Sequence, residues 1–263
     1  MKQKFFVALS VLLLCLSVCL SACGGHSGRS GGGADTIALA PCPVFEEDSA
    51  MMHIQAQCDF GPRVMGTEAA QLCGDYIAER FRQYGATVVE QNCTVTLYDD
   101  TKVPARNIIA SIHPEALDRI LFCAHWDSRP WADNDPDEAN WHTPILAAND
   151  GASGVAVLLE ICRLLQQKPV SRGIDFVCFD AEDAGTPEWA EDPADGRDTW
   201  CLGSQYWAQQ ALEAHYKARY GVLLDMVGGR GCTFAREQVS RQYADPVVEL
   251  IWHLAHQIGY GHF

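Results

Sequence analysis

Residues 174–179 are a nearly continuous apolar run, and a strand of that kind is buried on both faces. Helical spacings on either side supply the cover. Ala69, Leu72, Cys73, Tyr76, Ile77, Phe81 and Tyr84 repeat at helical intervals before Gly85 stops them. A shorter helix is predicted before it, capped by Ser49 and running to about Gln57. Residues 151–165 form another, with Ala152, Val155, Ala156, Leu159 and Cys162 on one face. Further helices are expected over residues 203–214 and 246–258, the latter opened by Pro246. Residues 87–97 alternate and are rich in β-branched side chains, as strands are. Residues 105–112, 119–124 and 220–224 add three more strands. Strands alternating with helices predict an α/β fold, its largely parallel sheet covered on both faces. No internal repeat interrupts the pattern, and residues 180–199 read as a long loop rich in Pro, Glu and Asp.

The 263 residues are enough for one sizeable α/β domain or two small ones. Lys+Arg 19 against Asp+Glu 34 gives a net charge of −15, which argues against a nucleic-acid partner. An acidic surface can attract metal ions or peptide amines, although solubility alone accounts for net charge.

The amino terminus reads as a targeting segment. Lys2 and Lys4 precede an apolar run over residues 5–20, short for a membrane span but suited to a secretory signal. The run ends in Leu20-Ser21-Ala22-Cys23, which resembles a bacterial lipobox with Cys23 as the lipidated residue. The expected organisation is a lipoprotein signal peptide over residues 1–22, a flexible tether over 23–47 and a catalytic-type domain over 48–263. The implied location is an exported bacterial lipoprotein at the cell envelope or periplasm-facing membrane, partnered with lipid. Of the 12 cysteines, Cys123, Cys162 and Cys178 read as small buried hydrophobes. No CxxC pair suggests a thiolate zinc site. An exported protein permits disulfides, with a connectivity that spacing does not reveal.

Active sites of open α/β sheets lie beyond the carboxyl ends of the strands. Here those ends deliver His125 and Asp127, then Asp180, Glu182 and Asp183, then Asp225, while the turn opening the helix at residue 151 delivers Asp150. Carboxylates gathered this closely repel unless a cation sits among them, and carboxylate with imidazole suits Zn²⁺. In Asn149-Asp150-Gly151-Ala152-Ser153-Gly154, the small residues are expected to bring the helix start close to such an ion. Each residue alone has a plain reading: Asp150 as a helix cap, His125 as a structural histidine, Glu182-Asp183 as a solvated pair. Asp225 is the least ordinary, because a buried Asp needs a partner. Trp126, Trp131, Trp141, Trp189 and Trp200 fall in or near the loops above the site, where they can wall a pocket for a flat amide or pack between loops. Residues 133–138 read as an acidic solvated loop.

His125-Trp126-Asp127-Ser128, the 149–154 segment, Phe179-Asp180-Ala181-Glu182-Asp183 and Leu223-Leu224-Asp225-Met226-Val227-Gly228 occur in an order that resembles the zinc aminopeptidase-like family. Within it the chain resembles bacterial glutaminyl cyclases. Phe60-Gly61-Pro62-Arg63, Arg106-Asn107-Ile108-Ile109 and Leu202-Gly203-Ser204-Gln205-Tyr206-Trp207 fit as well. The resemblance implies a three-layer sandwich around a mostly parallel mixed sheet, truncated at the C-terminus. It implies a single zinc held by Asp150 and Asp183, with a final His ligand beyond Phe263. Asp183 stands where the family usually has Glu. Glu182 would be the general base, Asp225 would orient the donors around the oxyanion, and Trp131, Trp189 and Trp200 would bind substrate. The implied reaction cyclises the N-terminal Gln of peptides and releases ammonia. The alternatives are a di-zinc aminopeptidase, in which His125 also binds metal, and a non-catalytic surface protein of the same fold. His253 and His256 share the polar side of the 246–258 helix and read as a solvated face rather than ligands. With the final His beyond Phe263, residues 1–263 alone are expected to bind zinc poorly.

Overall fold

The computed structural model describes residues 36–261. The expected signal segment, most of the expected tether including Cys23, and His262 lie outside them. Five strands form one mixed sheet in the order β1-β2-β4-β3-β5: β1 (Thr87–Thr96), β2 (Lys102–Ile112), β3 (Arg119–His125), β4 (Gly173–Phe179) and β5 (Gly221–Leu223). β3 pairs parallel with β4 and with β5, whereas β2 pairs antiparallel with β1 and with β4. Four strands therefore point one way and β2 alone runs back. The reversal follows from the short connection between β1 and β2, because a tight turn can join only antiparallel neighbours. Leu97 N donates to Thr101 O across that turn, with Asp100 at φ 67°. The apolar run is central, and every residue of β4 is buried.

Helix α1 (Glu47–Asp59) packs on α3 (Ala152–Gln167), which together with α2 (Glu68–Gln83) and α5 (Gln238–Gln257) covers one side of the sheet. There Phe81, Leu158 and Trp252 share a core with Ile108, Phe122 and Phe176. Helix α4 (Leu202–Glu213) covers the other face, where Trp207 packs with Cys123, Val177 and Phe179. The three layers agree with the sequence reading.

Several element ends differ from it. Ser49 is not a cap. Helix α1 starts at Glu47, and the Ser49 hydroxyl donates to Glu160 Oε2 at 2.8 Å. Helix α3 is buried nearly all round rather than on one face, because α1 packs along its outer side. The expected opening at Pro246 holds for the second of two helical segments in α5, which begins after a break, and the first segment starts at Gln238. Glu237 caps it, its carboxylate accepting from Val239 N and Ser240 N. The helix breaks at Ala244 (φ −143°, ψ 31°), just ahead of the proline. Downstream its buried face is Val248, Ile251, Trp252, Leu254 and Ala255, while Val247, Leu250 and Ile258 are only partly covered. His256 is exposed, with Nδ1 2.9 Å from Trp252 O, and neither it nor His253 belongs to a metal-ligand cluster among the described residues.

The nine described cysteines are all free. Cys123, Cys162 and Cys178 are buried as expected, and burial pushes their thiols up, that of Cys162 to about 12. Among the described residues no helix is long and apolar enough to cross a membrane.

Candidate active site

Because β3, β4 and β5 run parallel, their carboxyl ends open on one edge of the sheet. His125, the last residue of β3, stands at the centre and is 3% exposed. Its Nδ1 lies 3.2 Å from Asp127 Oδ1, and its Nε2 lies 2.8 Å from Asp150 Oδ1 and 3.5 Å from Asp225 Oδ1. Burial opposes an imidazolium here, but the surrounding carboxylates of Asp127, Asp150 and Asp225 outweigh it and hold the pKa well above the ordinary histidine value. Asp127 also fixes the segment after β4, accepting from Glu182 N and Asp183 N, each at 3.1 Å.

Glu182 is raised to about 8 by burial, with Asp183, Asp127 and Asp225 adding to the shift and His125 opposing it. Its Oε1 accepts from Cys201 Sγ at 3.4 Å, while Oε2 is buried without a hydrogen-bond partner. Asp225 Oδ1 is likewise buried and without a hydrogen bond. Orphaned carboxylate oxygens around one imidazole are costly unless a cation completes them, so this donor set fits a metal such as zinc. His125, Asp150 and Asp225 bring ligand atoms within 4.8 Å of one another, and so do His125, Glu182 and Asp183. Asp150 and Asp183 thus fall in different clusters that share His125.

Two of the sequence expectations are corrected here. Asp180 does not join the cluster. Its carboxylate turns away to accept from Arg106 N at 2.7 Å and Ala181 N at 2.8 Å. The cap position of α3 is Gly151, not Asp150, whose carboxylate engages His125 instead. The small residues after Asp150 let the helix start pack closely on the strand ends. A Cβ at Gly151 would lie 2.4 Å from His125 O, and one at Gly154 would lie 2.3 Å from Leu224 O. Asn149 and Ser153 then anchor the turn after Asp225, with Gly228 N donating to Asn149 Oδ1 and Val227 N to Ser153 Oγ.

The tryptophans divide into three groups. Trp126 is 1% exposed in the core and donates to Arg106 O. Trp131, Trp141 and Trp189 form one aromatic cluster: Trp189 stacks on Trp141 with centroids 6.1 Å apart and meets Trp131 edge-on at 5.9 Å. Trp200 lies under the Arg129 guanidinium, 4.8 Å from it, and Arg129 also lies 5.5 Å from the Trp131 ring.

Arg129 and Asp133 are the residues that sequence reasoning missed. Asp133 was expected in a solvated loop but is 3% exposed, paired with Arg129 and accepting from Glu188 N. Arg129 Nη1 donates to Asp183 O at 3.1 Å, which ties the aromatic loops to the acidic segment. The only signal in the sequence is the four-residue spacing of opposite charges, which has no meaning outside a helix.

Gly185 makes the contact with Trp200 possible, since a Cβ there would lie 1.8 Å from the indole. Gly185→Ala is expected to lower stability by about 1–3 kcal/mol through overpacking, as measured by denaturant unfolding. Trp200→Ala should remove most of that penalty in the double variant. An unchanged penalty would show that the indole is not what it clashes with.

A mixed α/β sheet with histidine and carboxylates gathered beyond its strand ends is the architecture of a zinc exopeptidase-like protein. The chain belongs to peptidase family M28, whose model matches residues 107–262. It is 51% identical to the crystal structure of Tannerella forsythia glutaminyl cyclase, covering 84% of this chain and 75% of that one with a TM-score of 0.80. It is 49% identical to a Zn-dependent exopeptidase from Parabacteroides distasonis, covering 85% and 76% with a TM-score of 0.82. Among curated proteins it is 30% identical over 157 residues to the alkaline phosphatase isozyme conversion protein of Escherichia coli (strain K12), 56% of this chain and 45% of that relative. The chain spans less than half the length of the curated relatives it matches.

Proposed function

We propose that the protein is a zinc-dependent glutaminyl-peptide cyclase, which converts N-terminal glutamine to pyroglutamate and releases ammonia. The observation that carries the proposal is Glu182 Oε2, buried without a partner beside Asp183, whose carbonyl is bonded to the Arg129 that packs on Trp131 and Trp200. Similarity to the Tannerella forsythia cyclase supports it.

Asp150 and Asp183 would hold the ion. Bound there, zinc supplies a Lewis acid for the side-chain amide carbonyl of the substrate. Glu182 takes a proton from the substrate α-amine as its nitrogen bonds to the side-chain carbonyl carbon. The bond from that carbon to the amide nitrogen then breaks, and Glu182 passes the proton to the departing ammonia. Asp225, 3.5 Å from His125 Nε2, orients the donors that face the developing oxyanion. The loops of Trp131, Trp189 and Trp200 hold the substrate and exclude water. Because the nucleophile is the substrate's own amine, excluding water suppresses competing hydrolysis.

The second reading is a di-zinc aminopeptidase, with Glu182 activating water. Two ligand clusters sharing His125, and the similarity to the Parabacteroides distasonis exopeptidase, speak for it. The test supplies the full-length protein with zinc, Gln-peptides and aminoacyl amides, and counts metal per chain. Ammonia release, a product lighter by ammonia and one zinc support the cyclase. Free amino acids and two zincs support the peptidase.

We also propose that Cys23 is lipidated and tethers the domain to a membrane. Leu20-Ser21-Ala22-Cys23 and the Gly-rich stretch after it motivate this. One acyl chain binds membranes only marginally, whereas two or more anchor stably. Cys23→Ser is expected to move the protein from the membrane to the soluble fraction or to block its processing. Unchanged membrane fractionation of the variant would refute the anchor.

A further inference from the structure

Glu182 is held from two sides by a residue that the proposed reaction does not use. Cys201 N donates to Glu182 O at 2.9 Å, and Cys201 Sγ approaches Glu182 Oε1 at 3.4 Å. The neighbouring Leu202 N donates to Ala181 O at 2.9 Å, so the start of α4 is bonded to the segment that carries the acid. Cys201 occupies the cap position of α4, yet its side chain makes no capping bond. Its backbone is left-handed, φ 57° and ψ 32°, a conformation that glycine adopts at least cost. A side chain kept in that conformation and withheld from capping has its contact elsewhere, and here the contact is the Glu182 carboxylate.

We propose that Cys201 is a positioning residue for Glu182: its thiol donates to Oε1 and so leaves Oε2 as the oxygen turned toward the reacting atoms. A thiol is a weak donor, so it orients the carboxylate without competing strongly for the proton that Glu182 must carry. The inference rests on the reading of Glu182 as the proton carrier.

Kinetics of the zinc-loaded protein separate positioning from packing. Cys201→Gly relieves the left-handed backbone, so a purely structural role predicts full activity and undiminished thermal stability. Positioning predicts that kcat falls about tenfold in both Cys201→Ala and Cys201→Gly, with KM and zinc content unchanged. Cys201→Ser, whose hydroxyl can donate to the same oxygen, should recover most of the loss. A parental kcat in the Gly and Ala variants overturns the proposal, and so does a Ser variant no better than Ala. Glu182→Gln in the same assay keeps the two readings apart. If it turns over like the parent, the proton-carrier role falls. If it is inactive while Cys201→Gly is fully active, only the positioning role falls. Raman difference spectra, parent minus Cys201→Ala, read the contact without activity. The Cys201 S–H band should shift in Glu182→Ala, and a band that stays in place overturns the proposal.

Discussion

Glu182→Gln should lower kcat by about 10²- to 10⁴-fold while zinc remains bound, the range for loss of a general acid-base group. The amide has nearly the shape of the carboxylate and can still accept from Cys201 Sγ through its oxygen. It cannot take up a proton from the substrate amine. Oε2 makes no hydrogen bond in the protein, so the substitution breaks none there. The fold should be retained, as circular dichroism would record, and kcat should fall with little change in KM. Elemental analysis of zinc per chain decides between two roles for this residue. Glu182 also belongs to a ligand cluster with His125 and Asp183. A loss of zinc matching the loss of rate would make it a ligand rather than a proton carrier.

The site residues were legible because topology places them. Each of His125, Glu182, Asp183 and Asp225 follows an apolar strand, and parallel strands deliver their carboxyl ends to one edge. The pattern cannot say which of several neighbouring acids turns inward. Asp180 and Asp183 are three residues apart in one acidic segment, yet Asp180 bonds to Arg106 N while Asp183 lies in the cluster. That outcome depends on local backbone, including Ala181 at φ 53°. Asp133 was misread for a related reason. It lies in irregular chain where no periodicity marks burial, and only the folded loops bring Arg129 to it. The reversal of β2 had a visible cue in Asp99-Asp100, a turn pair between two alternating runs. Pro246 marks the opening of the second helical segment of α5, whereas the first segment, capped by Glu237, carries no proline or apolar periodicity to announce it.

The largest effect on stability is expected at the opposite edge of the sheet, in Arg119→Met. Asp175 interrupts the apolar run of β4 and is 4% exposed, so its charge depends on partners. Arg119 binds it through two bonds of 2.6 Å, Nε to Oδ2 and Nη2 to Oδ1. Ser111 Oγ and Tyr216 Oη donate to the same carboxylate at 2.6 and 2.7 Å. Breaking a buried pair by removing one partner costs about 3–5 kcal/mol, because the remaining charge is left uncompensated. An exposed pair such as Arg241 with Asp245 is worth far less, so the two can be told apart in one set of unfolding curves. The double variant Arg119→Met/Asp175→Leu should recover much of the loss, since it buries no unpaired charge.

The pH dependence identifies the cause. Burial pushes the Asp175 carboxyl up, but its bonds to Arg119, Ser111 and Tyr216 outweigh this and hold it below the ordinary 3.8. In the parent this group therefore stabilises the fold above that value and ceases to do so as pH falls through its lowered pKa. Without Arg119 burial dominates, and the folded pKa rises above the unfolded one. The variant is then penalised at neutral pH and relieved as the carboxylate takes up a proton. The gap between variant and parent should narrow from about pH 7 toward about pH 4. A gap that stays constant across that range would place the cost elsewhere, in the bonds from Arg119 Nη1 to the carbonyls of His113, Pro114 and Ala116.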